Sequence, residues 1–161
     1  MTEQSTTLST FYAGWNDYQS LLIKALAPLS PEQLALRAAP QLRSIGEIAT
    51  HMIGARARWF HDLVGEGDQE FATLGAWDRK GMPTRRAAEL VSGLETTWRV
   101  MQQAIASWTP ADWEQTYEGG PGEPASFTRR WIIWHLIEHD VHHGGELSLT
   151  LGMHGLAAPD L

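Results

Sequence analysis

Apolar residues recur at intervals of three and four in four long segments of this 161-residue chain, over about 6–27, 45–65, 84–108 and 126–152. This spacing predicts amphipathic helices, because residues three or four positions apart lie on one face of an α-helix. No segment has a convincing strand pattern, and no internal repeat is visible. We therefore predict an all-α fold: an antiparallel four-helix bundle formed as a single domain by residues 1–161.

The connections between these segments carry helix start signals of their own. Ser44-Ile45-Gly46-Glu47 has the form of a capping box, so the second long helix is predicted to begin at Ile45. Ser30-Pro31 and Thr109-Pro110 each place proline at the first helical position. They predict short extra helical turns in the first and third connections.

Two connections are expected to be loops. Residues 65–83 contain four glycines and a proline, and residues 118–124 are rich in glycine and proline. Long connections in a compact domain are often functional, so we expect substrate specificity to reside in these two loops.

Composition excludes several classes of function. The chain has no cysteine, which removes disulfides, thiolate metal ligands and a cysteine nucleophile. A formal net charge of −7 argues against binding to nucleic acid or to an anionic membrane. The polar start does not have the pattern of a signal peptide, and no apolar run approaches the roughly 20 residues of a membrane span. We expect a soluble, cytoplasmic protein.

The chain contains eight tryptophans, an unusual number for its length. Most of them coincide with apolar stripes, and we expect them to fill the core, with one or two lining a pocket. These tryptophans are Trp15, Trp59, Trp98, Trp108, Trp131 and Trp134. In the last helix, the apolar residues Ile133, Trp134, Ile137 and Val141 are expected to pack on the face opposite the histidines.

Four of the seven histidines lie in the segment Trp131–Glu146, W-I-I-W-H-L-I-E-H-D-V-H-H-G-G-E. At roughly 100° per residue, five polar side chains share one arc of a helix. They are His135, His139, His142, His143 and Glu146. His139 and His143, four residues apart, can present two nitrogens to one point. His51, which flanks the stripe of the second helix, is the candidate third ligand.

Three imidazoles without a thiolate suit zinc, nickel, iron or copper, and they leave a coordination position for water or substrate. A pair of histidines four residues apart is a weak signal by itself, and His51 could be a hydrogen-bonded core residue. However, a row of five polar groups is too polar for a dry core. The pattern therefore favours a pocket that binds a metal.

Two segments resemble the DinB/YfiT-like family, whose members are regarded as metal-dependent enzymes. They are S-I-G-E-I-A-T-H at 44–51, and H-L-I-E-H-D-V-H-H-G-G-E at 135–146 followed by L-x-L-x-L-G-M-H-G-L. The resemblance implies an antiparallel four-helix bundle, often dimeric, with a divalent metal on His51, His139 and His143. Zinc or nickel would be favoured, with iron as a further alternative.

The resemblance also implies chemistry on a small-molecule substrate. Known activities of the family centre on low-molecular-weight thiols, so thiol-dependent S-transferase chemistry is the first expectation. A thiol cosubstrate would then supply the nucleophile that a cysteine-free chain lacks. A metal-dependent hydrolase using metal-bound hydroxide is one alternative. A non-catalytic metal-binding bundle is another, and it would need a fourth protein ligand, for which Glu47 and Glu146 are the nearby carboxylates.

No catalytic residue is assigned from the sequence. The candidates for orienting the ligands or lining the pocket are Glu146, His142, His135 and Glu47. Asp140 is expected to be solvated or to pair with an arginine. Many family members carry arginine where this chain has Gly144, which puts in doubt any substrate contact that such an arginine makes.

Overall fold

The computed structural model describes residues 3–119 and 126–160, with side chains from residue 13 onward. It is 66% helix, which confirms the predicted all-α class. The helices are α1 (Glu3–Leu26), α2 (Pro31–Leu34), α3 (Ile45–Ala57), α4 (Gln69–Leu74), α5 (Ala87–Ser107), α6 (Pro110–Trp113) and α7 (Arg129–Met153). Helix α3 continues directly into a π-helical segment, Arg58–Val64, and two short strands are β1 (Thr116–Glu118) and β2 (Ser126–Thr128).

The predicted starts of α2, α3 and α6 are confirmed, and each of these helices begins with a capping box. The Glu47 amide donates to Ser44 Oγ, and the Ser44 amide donates to Glu47 Oε2 at 2.7 Å, which completes the capping box of α3. Ser30 and Thr109 cap the short helices α2 and α6 in the same manner. Gly65, with a φ of 81°, ends the π segment, because glycine adopts this left-handed conformation without steric cost.

The two strands were not expected from the sequence. β1 and β2 pair antiparallel, with Tyr117 opposite Phe127, so α7 begins at Arg129 rather than near Ser126. Three-residue strands are too short to show an alternating pattern, which is why the prediction was wrong here. The predicted loop at 118–124 lies largely outside the described residues.

Helix α3 is central to the packing, because it contacts both α5 and α7, while α1 packs on α5. The contacts of His51 with His139 and of Trp59 with His135 show that α3 and α7 run in opposite directions. The core between the helices is apolar and well covered. Its fully covered side chains include Leu22, Ile45, Ile53, Phe60, Leu90, Leu94, Met101, Ile132, Leu136, Leu147 and Leu151.

A buried ion pair joins α3 to α7. Arg56 donates from Nη2 to Asp140 Oδ2 at 2.7 Å and from Nε to both carboxylate oxygens, and both side chains are fully buried. Arg56 Nη1 also donates to Gln19 Oε1 at 2.8 Å, and the Trp15 indole donates to Asp140 Oδ2 at 2.7 Å. Of the two expectations for Asp140, the arginine pair is therefore correct and the solvated residue is wrong.

The face of α7 opposite the histidines is partly exposed, contrary to prediction. Ile133 is buried, but Trp134 is 61% exposed and Val141 is 53% exposed. They line an apolar groove of about 680 Å³ between α1 and α7. Trp15 and Trp98 fill the core as predicted. Within the part of the chain that the structure describes, no helix is both long enough and apolar enough to cross a bilayer.

Candidate metal centre

Three histidines from two helices converge on one point. His51 lies on α3, His139 and His143 lie on α7, and their nearest ring nitrogens are all within 4.8 Å of one another. The Nε2 atoms of His51 and His139 are 3.2 Å apart. Two nitrogens bound tetrahedrally at the usual zinc distance of about 2.0–2.1 Å would be separated by about 3.3 Å. This spacing suits two ligands of one metal ion, and without a metal it suits a hydrogen bond from His139 Nε2–H to His51 Nε2.

Two of the three imidazoles are oriented by carboxylates. His51 Nδ1 lies 2.8 Å from Asp78 Oδ2, and His143 Nδ1 lies 2.7 Å from Glu146 Oε2. A carboxylate accepts but does not donate, so each of these Nδ1 atoms carries the proton and leaves Nε2 with a free lone pair. This pairing of carboxylate and histidine is typical of metal sites, where it fixes the ring and makes the nitrogen a better ligand.

Asp78 is itself held in place by Arg58. Arg58 donates from Nη1 to Asp78 Oδ1 at 2.6 Å and from Nη2 to Oδ2 at 3.0 Å. Burial raises the pKa of Asp78, but the hydrogen bonds from Arg58 and His51 outweigh burial, so the pKa lies below its ordinary value. Asp78 is therefore ionised at neutral pH and remains an acceptor for the His51 N–H.

Sequence reasoning missed Asp78. The carboxylates expected near the site were Glu47 and Glu146. Glu47 binds Arg37 and caps α3. Within the described residues it is absent from the two groups of possible metal ligands, which are His51, His139 and His143, and His142, His143 and Glu146. The one available signal for Asp78 was its place in the 65–83 connection, where a functional residue was expected.

The site disfavours the protonated form of two of its imidazoles, His139 and His143. Burial is the main reason that the pKa of His139 falls to about 3, and the neighbouring His143 and His51 rings lower it further. Burial also lowers the pKa of His143, against the opposing hydrogen bond to Glu146. A metal ligand must offer an unprotonated nitrogen, so a pocket that disfavours the imidazolium form suits a cation.

His139 differs from the other two because it has no carboxylate partner. Its Nδ1 is buried and makes no hydrogen bond to any residue in the described ranges. The three donor rings, two of them fixed by carboxylates, fit a divalent transition metal. Such an ion on Nε2 of each ring would leave the Nδ1 proton of His139 as the single unsatisfied donor among them.

The remaining candidates occupy different surroundings. His142 is 66% exposed, and its Nε2 is 3.6 Å from Glu146 Oε1. His135 lies next to the proposed ligands His139 and His143 on α7. Its ring is 6.0 Å from the His139 ring and stacks on Trp131. Both are thus near the histidine cluster without belonging to it.

Gly144, where many members of the family resembled carry arginine, faces α1 rather than the histidines. A Cβ atom at this position would overlap the hydroxyl and ring of Tyr18. An arginine here would have to displace Tyr18, so the glycine is explained by close packing of α7 against α1.

Comparison with known proteins places this helical chain with its three-histidine cluster in a family. The DinB family model matches residues 1–161, and the chain belongs to the DinB family. A DinB-like protein from Bacillus cereus ATCC 10987 is similar in structure, with a TM-score of 0.71, 22% identity, and 94% of this chain and 95% of that chain covered. The DinB-like protein YjoA from Bacillus subtilis has a TM-score of 0.61 and 15% identity, with 89% and 91% covered. No curated protein matched the chain. The predicted family is therefore confirmed.

Proposed function

We propose that this chain is a metal-dependent enzyme that carries out thiol-dependent transfer on a small molecule, with His51, His139 and His143 as its metal ligands. The observation that carries the proposal is the convergence of three imidazoles, two of which are fixed by carboxylates through Nδ1. The expectation of thiol chemistry comes from the family resemblance, and the absence of cysteine is consistent with a nucleophile that arrives with the cosubstrate.

The ligand set favours a reactive site over a closed structural one. Asp78 and Glu146 face the Nδ1 side of their imidazoles, so these carboxylates are used to orient the rings. Within the described residues, the group containing His51 has three ligand side chains. Three protein ligands leave a position for substrate, whereas structural sites usually have four.

The residues of the chain have distinct roles in this proposal. A divalent metal, when bound, would supply Lewis acidity that favours the thiolate form of a thiol. Asp78 and Glu146 hold the imidazoles in place. Glu146 uses Oε2 for His143, and its Oε1 lies 3.6 Å from His142 Nε2, so His142 helps to hold the carboxylate in place. A thiol that binds as a thiolate releases its proton to solvent.

The decisive experiment is metal analysis of the untagged protein, alongside His139→Ala and the control His154→Ala. We expect near-stoichiometric transition metal in the wild type and the control, loss of it in His139→Ala, and a lower melting temperature after chelation of the wild type. Titration of a thiol into cobalt-substituted protein should then change the visible spectrum. Failure of the wild type to bind zinc, nickel or iron after reconstitution would refute the proposal.

The same experiment separates the alternatives. Metal uptake without a spectral response to thiols, together with ester or amide hydrolysis, would support the hydrolase. Metal uptake with neither response would support a non-catalytic bundle. Either result would support the metal site and contradict the proposed thiol-transfer reaction.

We further propose that the chain forms a homodimer through the apolar groove between α1 and α7. The support for this is the exposure of Trp134 and Val141 beside small residues at the same groove, including Gly14 and Gly145. Apolar patches of this kind mark interaction surfaces. Light scattering should give twice the monomer mass, and Trp134→Glu should give the monomer.

A further inference from the structure

Beside the histidine cluster, the facing surfaces of α3 and α7 carry aromatic rings. The Trp59 and His135 rings are 4.9 Å apart, and Trp131 stacks on His135 at 5.0 Å with an angle of 4° between the planes. Phe127 lies behind them, 5.4 Å from Trp59 and 5.0 Å from Trp131. We name these four rings, Trp59, Phe127, Trp131 and His135, the aromatic wall.

The wall is continuous with the proposed metal centre. His135 is one helical turn before His139, and their ring centres are 6.0 Å apart. On the facing helix, Trp59 is eight residues after His51, and its ring contacts His135. The wall therefore begins one helical turn from the proposed metal ligands, within reach of a molecule anchored at the three histidines.

The wall has a buried base and an open front. Phe127 is only 4% exposed, whereas the two indoles are half-buried and the His135 side chain is 29% exposed. If these rings only filled the core, we would expect all of them to be buried. Three of them are instead accessible to solvent beside the histidines. Half-exposed rings can instead accept another ring, either stacked or edge to face.

The charges near the wall restrict the ligand further. Glu138 is the acidic neighbour of His135, with its Oε2 4.0 Å from His135 Nδ1. The arginines next to the wall in sequence are already paired: Arg58 with Asp78, Arg129 with Asp112 and Arg130 with Glu114. With these cations paired and Glu138 beside His135, the wall favours an uncharged flat group over an anionic one.

We propose that the aromatic wall is the subsite for an uncharged aromatic group of the substrate, carried by a molecule that binds at the three-histidine centre. The inference rests on the proposed function, since it names the class of small molecule that the metal site would take. Trp59 and Trp131 supply the contact surface, and His135 lies between that surface and the proposed ligand His139.

The test compares three thiols on cobalt-substituted protein: benzyl mercaptan, cyclohexylmethanethiol and 2-mercaptoethanol. They share a thiol and differ in whether the attached group is flat, bulky and apolar, or polar. Dissociation constants come from the cobalt spectrum, with tryptophan quenching as a second readout. We expect benzyl mercaptan to bind about tenfold more tightly than 2-mercaptoethanol, and the cyclohexyl thiol to fall between them.

Variants assign this preference to the wall. Trp59→Leu and Trp131→Leu should each remove most of the preference for the aryl thiol while leaving the affinity for 2-mercaptoethanol unchanged. Trp134→Leu, on the opposite face of α7, is the matched control and should retain the preference for the aryl thiol. Two independent wall variants are used so that a folding defect in one leaves the other informative. Equal affinities for the three thiols in the wild type would overturn the proposed subsite without contradicting the metal centre.

A metal-free measurement separates this inference from the proposed function. Saturation transfer from the protein to the ring protons of benzyl alcohol should be seen without metal, and it should be lost in Trp59→Leu and kept in Trp134→Leu. If the protein takes up no metal, this result would still support the subsite. Absence of transfer to the wild type would overturn it.

Discussion

Removing Arg56 should destabilise the protein severely, because it would leave the Asp140 carboxylate buried without its cation. In Arg56→Met, Asp140 loses the donors from Nε and Nη2 and retains the Trp15 indole, while Gln19 loses its partner as well. Breaking a buried pair by removing one member typically costs about 3–5 kcal/mol. That is a large part of the roughly 5–15 kcal/mol that stabilises a domain.

The double variant Arg56→Met/Asp140→Leu should be more stable than Arg56→Met alone by at least about 2 kcal/mol, since neither buried charge remains. Urea unfolding, followed by circular dichroism and by tryptophan fluorescence, measures both values. Arg130→Met is the control, because Arg130 and its partner Glu114 are 64% and 56% exposed. It should cost less than about 1 kcal/mol.

Two results would refute this reasoning. A cost below about 1 kcal/mol for Arg56→Met would mean that Asp140 tolerates burial without the arginine. A double variant that is no more stable than Arg56→Met would mean that the unpaired Asp140 carboxylate is not the cause of the loss.

Three further predictions concern the site and its surroundings. Asp78→Asn should lower metal affinity about 10- to 100-fold in a chelator competition, because the amide binds the His51 ring more weakly than a carboxylate. Gly144→Ala should cost about 1–3 kcal/mol in urea unfolding, since the new methyl group overlaps an α1 tyrosine. Without metal, stability should fall as the pH drops from 6.5 towards 3, because the unfolded chain protonates His139 at its ordinary pKa of 6.5 and the folded chain only near 3. His139 alone should contribute a slope of at most about 1.4 kcal/mol per pH unit.

Each of these predictions has a matched control. Asp62→Asn removes an exposed carboxylate from His61 and should leave metal affinity unchanged. Gly145→Ala has open space at its Cβ and should stabilise α7 by up to about 1 kcal/mol, so equal effects at the two glycines would contradict the packing argument. His139→Gln should flatten the acid limb of the stability profile, and an unchanged limb would show that other groups cause it.

Much of the fold, and the pairing of His139 with His143, could be predicted from local signals in the sequence. The capping box at Ser44 predicts the start of α3 because its hydrogen bonds join residues three apart. His139 and His143 could be paired because the helical period alone places them on one face. The approach of His51 to them required the family resemblance, since no local rule states which helices become neighbours.

The features that the sequence did not predict depend on contacts between distant segments. Asp78 reaches His51 from a loop 27 residues away, and its place in the 65–83 connection does not show which residue it contacts. The exposure of Trp134 had no signal either, because an apolar periodicity shows that a face is apolar without showing what covers it. The strands were too short for their period to be visible.

The separation of the three histidines along the chain has a consequence for how the protein acquires its metal. His51 and His139 are 88 residues apart, so their approach closes a long loop that forms only as the tertiary fold is completed. A nascent α7 alone would offer two of the nitrogens, a much weaker chelate than the full set. High-affinity uptake should therefore be limited by the rate of folding rather than by diffusion of the ion. In refolding experiments, the appearance of tightly bound cobalt would then mark the last step of assembly in a chain that has no disulfide to lock it.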